Sequence, residues 1–189
     1  DFEEYVRRTG IQFGQLEAEE VAFLADGAKT NWEIQKTNFP DAVGILDFYH
    51  VSEHLAGFCE LFSDPKKRAK KYKDWRLMLL EGESLQVLAE TKDAVRETRD
   101  THKGWGEINY FKNNIERMNY SEYRDRGFPI GSGVVEGACK FVVGKRFKGS
   151  GMRWKKADNK KVLKVRLAKL NGLLSDYFTP KPQKWTVAA

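Results

Sequence analysis

The chain has 189 residues, of which 41% are hydrophobic and 13% aromatic, so it can bury a core in one domain with room for an inserted subdomain. No apolar run reaches the roughly 20 residues that cross a bilayer, and no secretory signal opens the sequence, so we expect a cytoplasmic, nucleoid-associated protein without a membrane partner. The two cysteines lack zinc-ligand spacing, and the net charge of +6 favours a polyanionic partner.

The first predicted elements form a strand–helix–strand unit. Residues 19–26 are a short apolar run that ends in Asp26, residues 42–47 repeat the pattern and end in Asp47, and a helix over 30–39 lies between them. Such a unit normally forms a parallel pair, so both aspartates should lie at the carboxyl edge of the sheet, where functional side chains gather. An aspartate before glycine is also ordinary turn chemistry, and that alternative stays open for each residue taken alone.

A long helical insertion is predicted after the second strand, over residues 51–128. Its helical segments are 51–62, 65–81, 84–100 and 105–120, with Pro65, Gly82 and Gly104 marking the breaks. His50 and His54 lie four residues apart at its start. That spacing suits a metal pair, but no third ligand lies nearby in the sequence, so hydrogen bonding or DNA contact is favoured.

The next predicted helix carries one carboxylate in its first turn. Gly131, Ser132 and Gly133 form a loop that ends in a helix N-cap, and apolar residues then recur at helical spacing, which places Glu136 near the helix start. An acid in this position often serves only to offset the helix dipole. Its surroundings in the sequence suggest phosphate chemistry instead, because positive charge follows it.

This positive charge is concentrated in residues 140–169, which contain twelve Lys or Arg and one acid, Asp158. DNA is the commonest partner of such a stretch, although lysines on the later amphipathic helix are also explained as its solvated face. Cations beside the Gly-rich loop are better phosphate candidates, because the backbone can approach DNA closely there. The candidate DNA-binding residues are Lys140, Lys145, Arg146, Lys148, Arg153, Lys155 and Lys156.

Four strings stand together in this sequence in a specific order. They are LADGAKTNW at 24–32, ILDFYHVSEHL at 45–55, YFKNNIERMNYSEYRDRGFPIGSGVVEGACK at 110–140 and KRFKGSGMRW at 145–154. In this order and spacing they resemble the C-terminal part of the catalytic region of DDE transposases from bacterial insertion sequences, which belong to the RNase H-like superfamily of retroviral integrases. The resemblance covers about residues 15–178, nearly the whole chain.

The resemblance implies an active site of two aspartates and one glutamate that binds Mg²⁺ or Mn²⁺ and catalyses DNA nicking and strand transfer. Asp26 matches the second catalytic aspartate and Glu136 the glutamate, and both would hold the metal. Asp47 and His50 match an Asp-x-x-His string that supports the core or the DNA, and Asp47 remains the alternative second aspartate. Carboxylates are needed as a set because two ions about 3.5 to 4 Å apart clamp the attacking and leaving oxygens of a phosphoryl transfer.

The implied fold is a helix-rich α/β protein in which a large all-helical insertion interrupts a partial RNase H-like core before the glutamate helix. We expect core elements over 1–50, the insertion over 51–128, the glutamate helix and basic helices over 129–178, and an extended tail over 179–189. The opening residues are polar and helix-like, and they offer no strand that ends in the first catalytic aspartate. We therefore expect a truncated chain that is inactive alone and is completed by the upstream part of the same transposase.

The expected partners are double-stranded DNA, at the transposon ends and at the target, and further copies of the chain assembled on that DNA. A second hypothesis, from a different class, is a non-catalytic DNA-binding or assembly remnant of a transposase. A third is a structure-specific nuclease with the same core. An upstream strand that ends in aspartate would favour the enzyme over the remnant.

Overall fold

The computed structural model describes residues 2–175, apart from the side chains of Lys156 and Ala157. The chain forms two compact units, Asp1–Ser132 and Gly133–Ala189. Helices dominate both units, and the sheet in the described residues has two parallel strands, so the protein belongs to the helix-rich α/β class. The tail predicted over 179–189 lies outside the described residues.

The first unit begins with a helix, not a strand. Its elements are α1 (Phe2–Gln12), β1 (Ala22–Ala25), α2 (Lys29–Asn38), β2 (Val43–Leu46), α3 (Phe48–Glu60), α4 (Pro65–Leu80), α5 (Ser84–Ala94), α6 (Thr101–Asn114) and α7 (Tyr120–Asp125). Single 3-10 turns follow α5 and α6, at Val95–Glu97 and Ile115–Arg117.

β1 and β2 pair in parallel, as the strand–helix–strand pattern predicts. Ala22 lies opposite Val43, and the register continues to Ala25 opposite Leu46. The backbone N–H of Asp47 donates to the Ala25 carbonyl at 2.8 Å and extends the ladder by one bond. Asp26 and Asp47 directly follow the two strands. These two predicted site residues therefore lie next to each other at the carboxyl edge of the sheet.

The helical insertion packs around a core of large apolar side chains. Pro65 occupies the first turn of α4 and the Asp64 side chain accepts a hydrogen bond from the Lys66 N–H at 2.9 Å, which explains why this helix starts where the sequence predicts. Gly82 follows α4 with φ of 88°, a conformation that favours glycine. The fully buried core residues include Leu55, Phe58, Phe62, Trp75, Leu79, Ile108, Phe111 and Met118.

The helix break predicted at Gly104 is wrong. Gly104 is buried inside α6, which begins three residues earlier at Thr101, where the Asp100 side chain caps it by accepting from the Lys103 N–H at 3.0 Å. A Cβ at Gly104 would lie 2.7 Å from Val95 Cγ2, so the glycine serves close packing and not chain reversal. The helices predicted over 84–100 and 105–120 also end earlier than predicted, at Ala94 and Asn114.

The second unit contains one helical run followed by a longer helix. Its elements are α8 (Gly133–Cys139), a π-helical stretch at Lys140–Gly144, α9 (Lys145–Phe147) and α10 (Lys156–Leu170). Within this unit the Arg166 guanidinium donates to the Phe141 carbonyl at 3.0 Å, which joins α10 to the π-helical stretch. No helix among the described residues is long and apolar enough to cross a membrane.

Candidate carboxylate site and basic surfaces

Asp26 forms a turn between β1 and α2. Its Oδ1 accepts hydrogen bonds from the Ala28 N–H at 2.9 Å and from Asn31 Nδ2 at 2.8 Å. This is the turn chemistry that the sequence left open as an alternative. Both bonds use the same oxygen, however, and no described residue hydrogen-bonds to Oδ2. The Asp26 side chain thus keeps one carboxylate oxygen at the sheet edge for another partner.

Asp47 has a different environment, in which both of its oxygens are already bonded. Oδ1 accepts from the backbone N–H groups of Tyr49 at 2.7 Å and His50 at 3.2 Å, which caps α3. Oδ2 accepts from the Ser132 N–H at 2.8 Å, and the residue is only 4% exposed. Burial opposes ionisation most strongly, but the hydrogen bonds from Ser132 and the first turn of α3 together outweigh it and lower the pKa of Asp47.

The two predicted histidines each lie close to a glutamate. His50 Nδ1 is 3.4 Å from Glu53 Oε2 on the exposed side of α3. His54 Nδ1 lies 2.6 Å from Glu107 Oε2 on α6, and because a carboxylate only accepts, Nδ1 carries the proton. Their rings are 6.1 Å apart between centroids. Hydrogen bonding, one of the roles that the sequence favoured, therefore describes His54.

Tyr110 lies between His54 and the turn that contains Asp26. Its ring stacks on the His54 imidazole, with centroids 3.6 Å apart and an interplanar angle of 18°. On the turn, a Cβ at Gly27 would be 2.3 Å from Tyr110 Cε2, so only glycine fits there. The buried Tyr110 hydroxyl has no hydrogen-bond partner among the described residues, and burial, with a smaller contribution from the Asp26 charge, raises its pKa to about 12.

The sequence patterns did not identify Glu107 or Tyr110 as part of this edge. The available signal is their spacing of three residues on a helix, which puts both side chains on one face. His50 and His54 have the corresponding spacing of four residues. The pairing between the two helices has no local pattern, because His54 and Glu107 are 53 residues apart.

Glu136 lies in the first turn of α8, as predicted, and is exposed. It belongs to the second unit, whereas Asp26 belongs to the first, and their proximity stays a prediction. Among residues 2–175, no three His, Cys, Asp or Glu side chains gather as a ready-made metal-binding group.

A groove of about 670 Å³ adjoins the turn at Gly27, on the side of α2 and α6. Three cations line it, Lys29, Lys36 and Arg117, and none of them pairs with an acid among the described residues. The Arg117 guanidinium lies 4.4 Å from the centre of the Trp32 ring, which holds it at the groove wall. The groove thus has a net positive charge next to the candidate carboxylate, because its lining holds three cations and one acid, Glu33.

The predicted DNA-binding cations of the second unit are exposed wherever their side chains are described; the Lys156 side chain lies outside the described residues. Lys145 and Arg146 belong to α9, and Lys148 directly follows this helix, before the Gly-rich loop. The Arg146 guanidinium lies 5.3 Å from the centre of the Trp154 ring, and that aromatic contact limits the positions its charge can take.

Comparison of the chain with protein-family models, with curated proteins and with solved structures finds no match in any of the three. The features that point to a function are the carboxylate edge, the two basic surfaces and the four sequence strings.

Proposed function

We propose that this chain is the C-terminal catalytic part of a DDE transposase, which cleaves and joins DNA strands of an insertion sequence in a metal-dependent reaction. The observation that carries the proposal is Asp26. Its carboxylate follows a parallel strand, keeps Oδ2 without a hydrogen bond from the described residues, and adjoins a groove with three unpaired cations. The four sequence strings support the same function.

The hydrogen bonds at the sheet edge support Asp26 over Asp47 as the metal ligand. A hard divalent cation binds most readily to a carboxylate oxygen that protein donors do not already occupy. Asp26 offers one, whereas both oxygens of Asp47 accept backbone hydrogen bonds. In the proposed enzyme Asp26 and Glu136 hold Mg²⁺ or Mn²⁺. Asp47 has a structural role, because it caps α3 and accepts a hydrogen bond from Ser132. The bound ions would supply charge stabilisation for the attacking and leaving oxygens of the phosphodiester.

The chain's own cations would bind the DNA backbone. Lys29, Lys36 and Arg117 give the groove beside Gly27 the charge that a phosphodiester strand requires, and the cations around α9 provide a second contact region. Phosphate contacts of this kind fix the position and register of the DNA but do not read its sequence. In this proposal the two basic surfaces bind the DNA, and the reaction takes place at the carboxylates.

The test is Mg²⁺-dependent nicking of a plasmid that carries the inverted repeats flanking the gene. Residues 1–189 alone should not nick, because in the proposed enzyme the first catalytic aspartate belongs to the upstream part of the same transposase. The chain extended upstream by its first core strands should nick, and Asp26→Asn or Glu136→Gln should abolish this activity with the fold retained. Asp41→Asn, an exposed acid next to β2, is the matched control and should stay active.

The second candidate function is a DNA-binding or assembly remnant without chemistry. It is favoured by the exposed cations of the second unit, which can bind DNA phosphates whether or not a metal site forms. An extended protein that binds the repeats but never nicks them, with any divalent metal, would support the remnant and reject the enzyme.

A further inference from the structure

Four residues from three elements form a continuous series of contacts that ends beside Asp26. The Glu107 carboxylate accepts from His54 Nδ1 at 2.6 Å, and the His54 ring stacks on Tyr110 at 3.6 Å between centroids. The Tyr110 ring in turn packs against the backbone of Gly27, with no space for a Cβ. Helices α3 and α6 thereby reach the turn after β1 through a single aromatic side chain.

We infer that Tyr110 is a positioning residue for the Asp26 carboxylate, and that His54 and Glu107 hold Tyr110 in place. This inference rests on the proposed function, because that function gives the Asp26 carboxylate its role. The contacts between the residues are observed in the structure. Within the turn, both hydrogen bonds to Asp26 come from residues that follow it closely, Ala28 and Asn31. They fix the shape of the turn but not its location relative to the helices.

The strand pairing places the turn beside α3, and the Tyr110 ring adds the contact from α6. The buried hydroxyl has no partner at hydrogen-bonding geometry among the described residues, so packing of the ring makes most of the contact with Gly27, and the Gly27 backbone amide adds a weaker polar contact that opposes the rise in the Tyr110 pKa. A buried hydroxyl without a partner costs free energy, which the packing of the Tyr110 ring must offset. His54 is held at Nδ1 by Glu107, so its ring has one orientation and gives Tyr110 a fixed surface to stack on.

The experiment measures the backbone order of the turn by NMR relaxation of the Gly27 amide in the whole chain. A rigid amide has an order parameter near 0.85 and a flexible one falls below about 0.6. Tyr110→Ala should lower the Gly27 value toward 0.6, and Tyr110→Phe should leave it unchanged because the ring is kept. Asn109→Ala, an exposed neighbour on α6, is the control and should have no effect.

Variants of the supporting residues separate positioning from general stability. His54→Ala should loosen Gly27, and His54→Phe should restore its order because an aromatic ring again backs Tyr110. A residue that only contributes to stability would lower the unfolding temperature without this rescue. His54 is a third exposed, so these variants keep the inference testable even if Tyr110→Ala does not fold. An unchanged Gly27 order parameter in folded His54→Ala overturns the inference.

Mn²⁺ titration with the same protein distinguishes this inference from the proposed function. Paramagnetic broadening of the Gly27 amide should appear in the parent chain and vanish in Asp26→Asn. Its apparent affinity should fall by about 10-fold to 100-fold in His54→Ala, the range found when residues that orient metal ligands are removed. Loosening of Gly27 without any Mn²⁺ broadening supports the positioning and rejects the metal site. Equal Mn²⁺ affinity in parent and His54→Ala rejects the positioning and keeps the metal site.

Discussion

Asp47 and Ser132, 85 residues apart in sequence, are joined by a hydrogen bond in which the Ser132 N–H donates to Asp47 Oδ2 at 2.8 Å. The next residue of α3 repeats the connection, because the Phe48 N–H donates to the Ile130 carbonyl at 2.8 Å. These bonds tie the end of β2 and the start of α3 to the segment that leads into α8. An acid that looked like a possible metal ligand in the sequence thus connects two distant parts of the chain.

Replacing Asp47 should destabilise the first unit strongly. Asp47→Ala removes a helix cap and leaves the part-buried Ser132 N–H without its acceptor, which together cost about 2 to 4 kcal/mol of unfolding free energy. The measurement is urea unfolding at pH 7. Asp64→Ala is the matched control, because that exposed residue caps α4 through a single bond to the Lys66 N–H and should cost about 1 kcal/mol. Equal losses for the two variants would contradict the connecting role.

The contribution of Asp47 to the unfolding free energy should decrease at acid pH. The folded pKa of Asp47 is lowered, so its ionised form stabilises the fold above the unfolded carboxyl pKa of about 4. That stability is lost as the pH falls through the lower folded value. The difference in unfolding free energy between the parent and Asp47→Asn should therefore be constant near pH 7 and shrink below about pH 4. A difference that grows toward acid pH would show that the pKa shift has the opposite sign.

Much of this fold could be predicted from local patterns. Two apolar runs that each end in aspartate, with a helix between them, predict the parallel pair, and Pro65 and Gly82 mark the limits of α4. The same reasoning failed at Gly104, because the sequence does not distinguish a glycine that permits close packing, here against Val95, from a glycine that ends a helix. Local composition carries no information on which of the two applies.

The site was predictable only in part for a similar reason. The candidate aspartates follow from their strands, but the strand pattern does not show which of them keeps a carboxylate oxygen without a hydrogen bond. That difference depends on Ser132, which is 85 residues from Asp47 in the sequence. The contact of Glu107 with His54 and that of Tyr110 with Gly27 are also long-range. A periodic pattern identifies the face of a helix that is buried but not the residue that it meets.

Adding a methyl group at Gly27 should disturb the turn through Tyr110. Gly27→Ala places a Cβ 2.3 Å from Tyr110 Cε2, and such overpacking costs about 1 to 3 kcal/mol of unfolding free energy. The double variant with Tyr110→Ala has room for the methyl group, so the two costs should not add. Thermal unfolding of the four proteins of this double-mutant cycle gives the coupling. Simple additivity would mean that the two residues do not touch.

The groove beside Gly27 should contribute phosphate contacts. Alanine at Lys29, Lys36 and Arg117 together should reduce the slope of log affinity against log salt by about 2 to 3, since each lost contact to duplex DNA changes it by about 0.9. Fluorescence anisotropy with a labelled duplex over a salt series measures this slope. Lys112→Ala, an exposed lysine on α6 outside the groove lining, should leave it unchanged. A triple variant with the parent slope would exclude the groove from the DNA path.

The second unit should provide most of the sequence-independent affinity, with or without metal. Alanine at Lys145, Arg146, Lys148 and Arg153 should flatten the salt slope by about 3 to 4 in the presence of EDTA. The matched control removes four exposed lysines from the helical insertion and should keep the parent slope. These control residues are Lys66, Lys70, Lys73 and Lys92. If the control flattens the slope and the variant does not, the DNA surface lies on the insertion.

The central claim is that Asp26 and Glu136 share one divalent metal site. Fe²⁺ bound in place of Mg²⁺ generates hydroxyl radicals with ascorbate and peroxide, and these cut the backbone close to the metal. We expect two cuts, near residues 26 and 136, both suppressed by excess Mg²⁺ and both lost in Asp26→Asn, since the ligands of a shared site depend on one another. Cuts near Asp47 and His50 without one near Glu136 would contradict the claim.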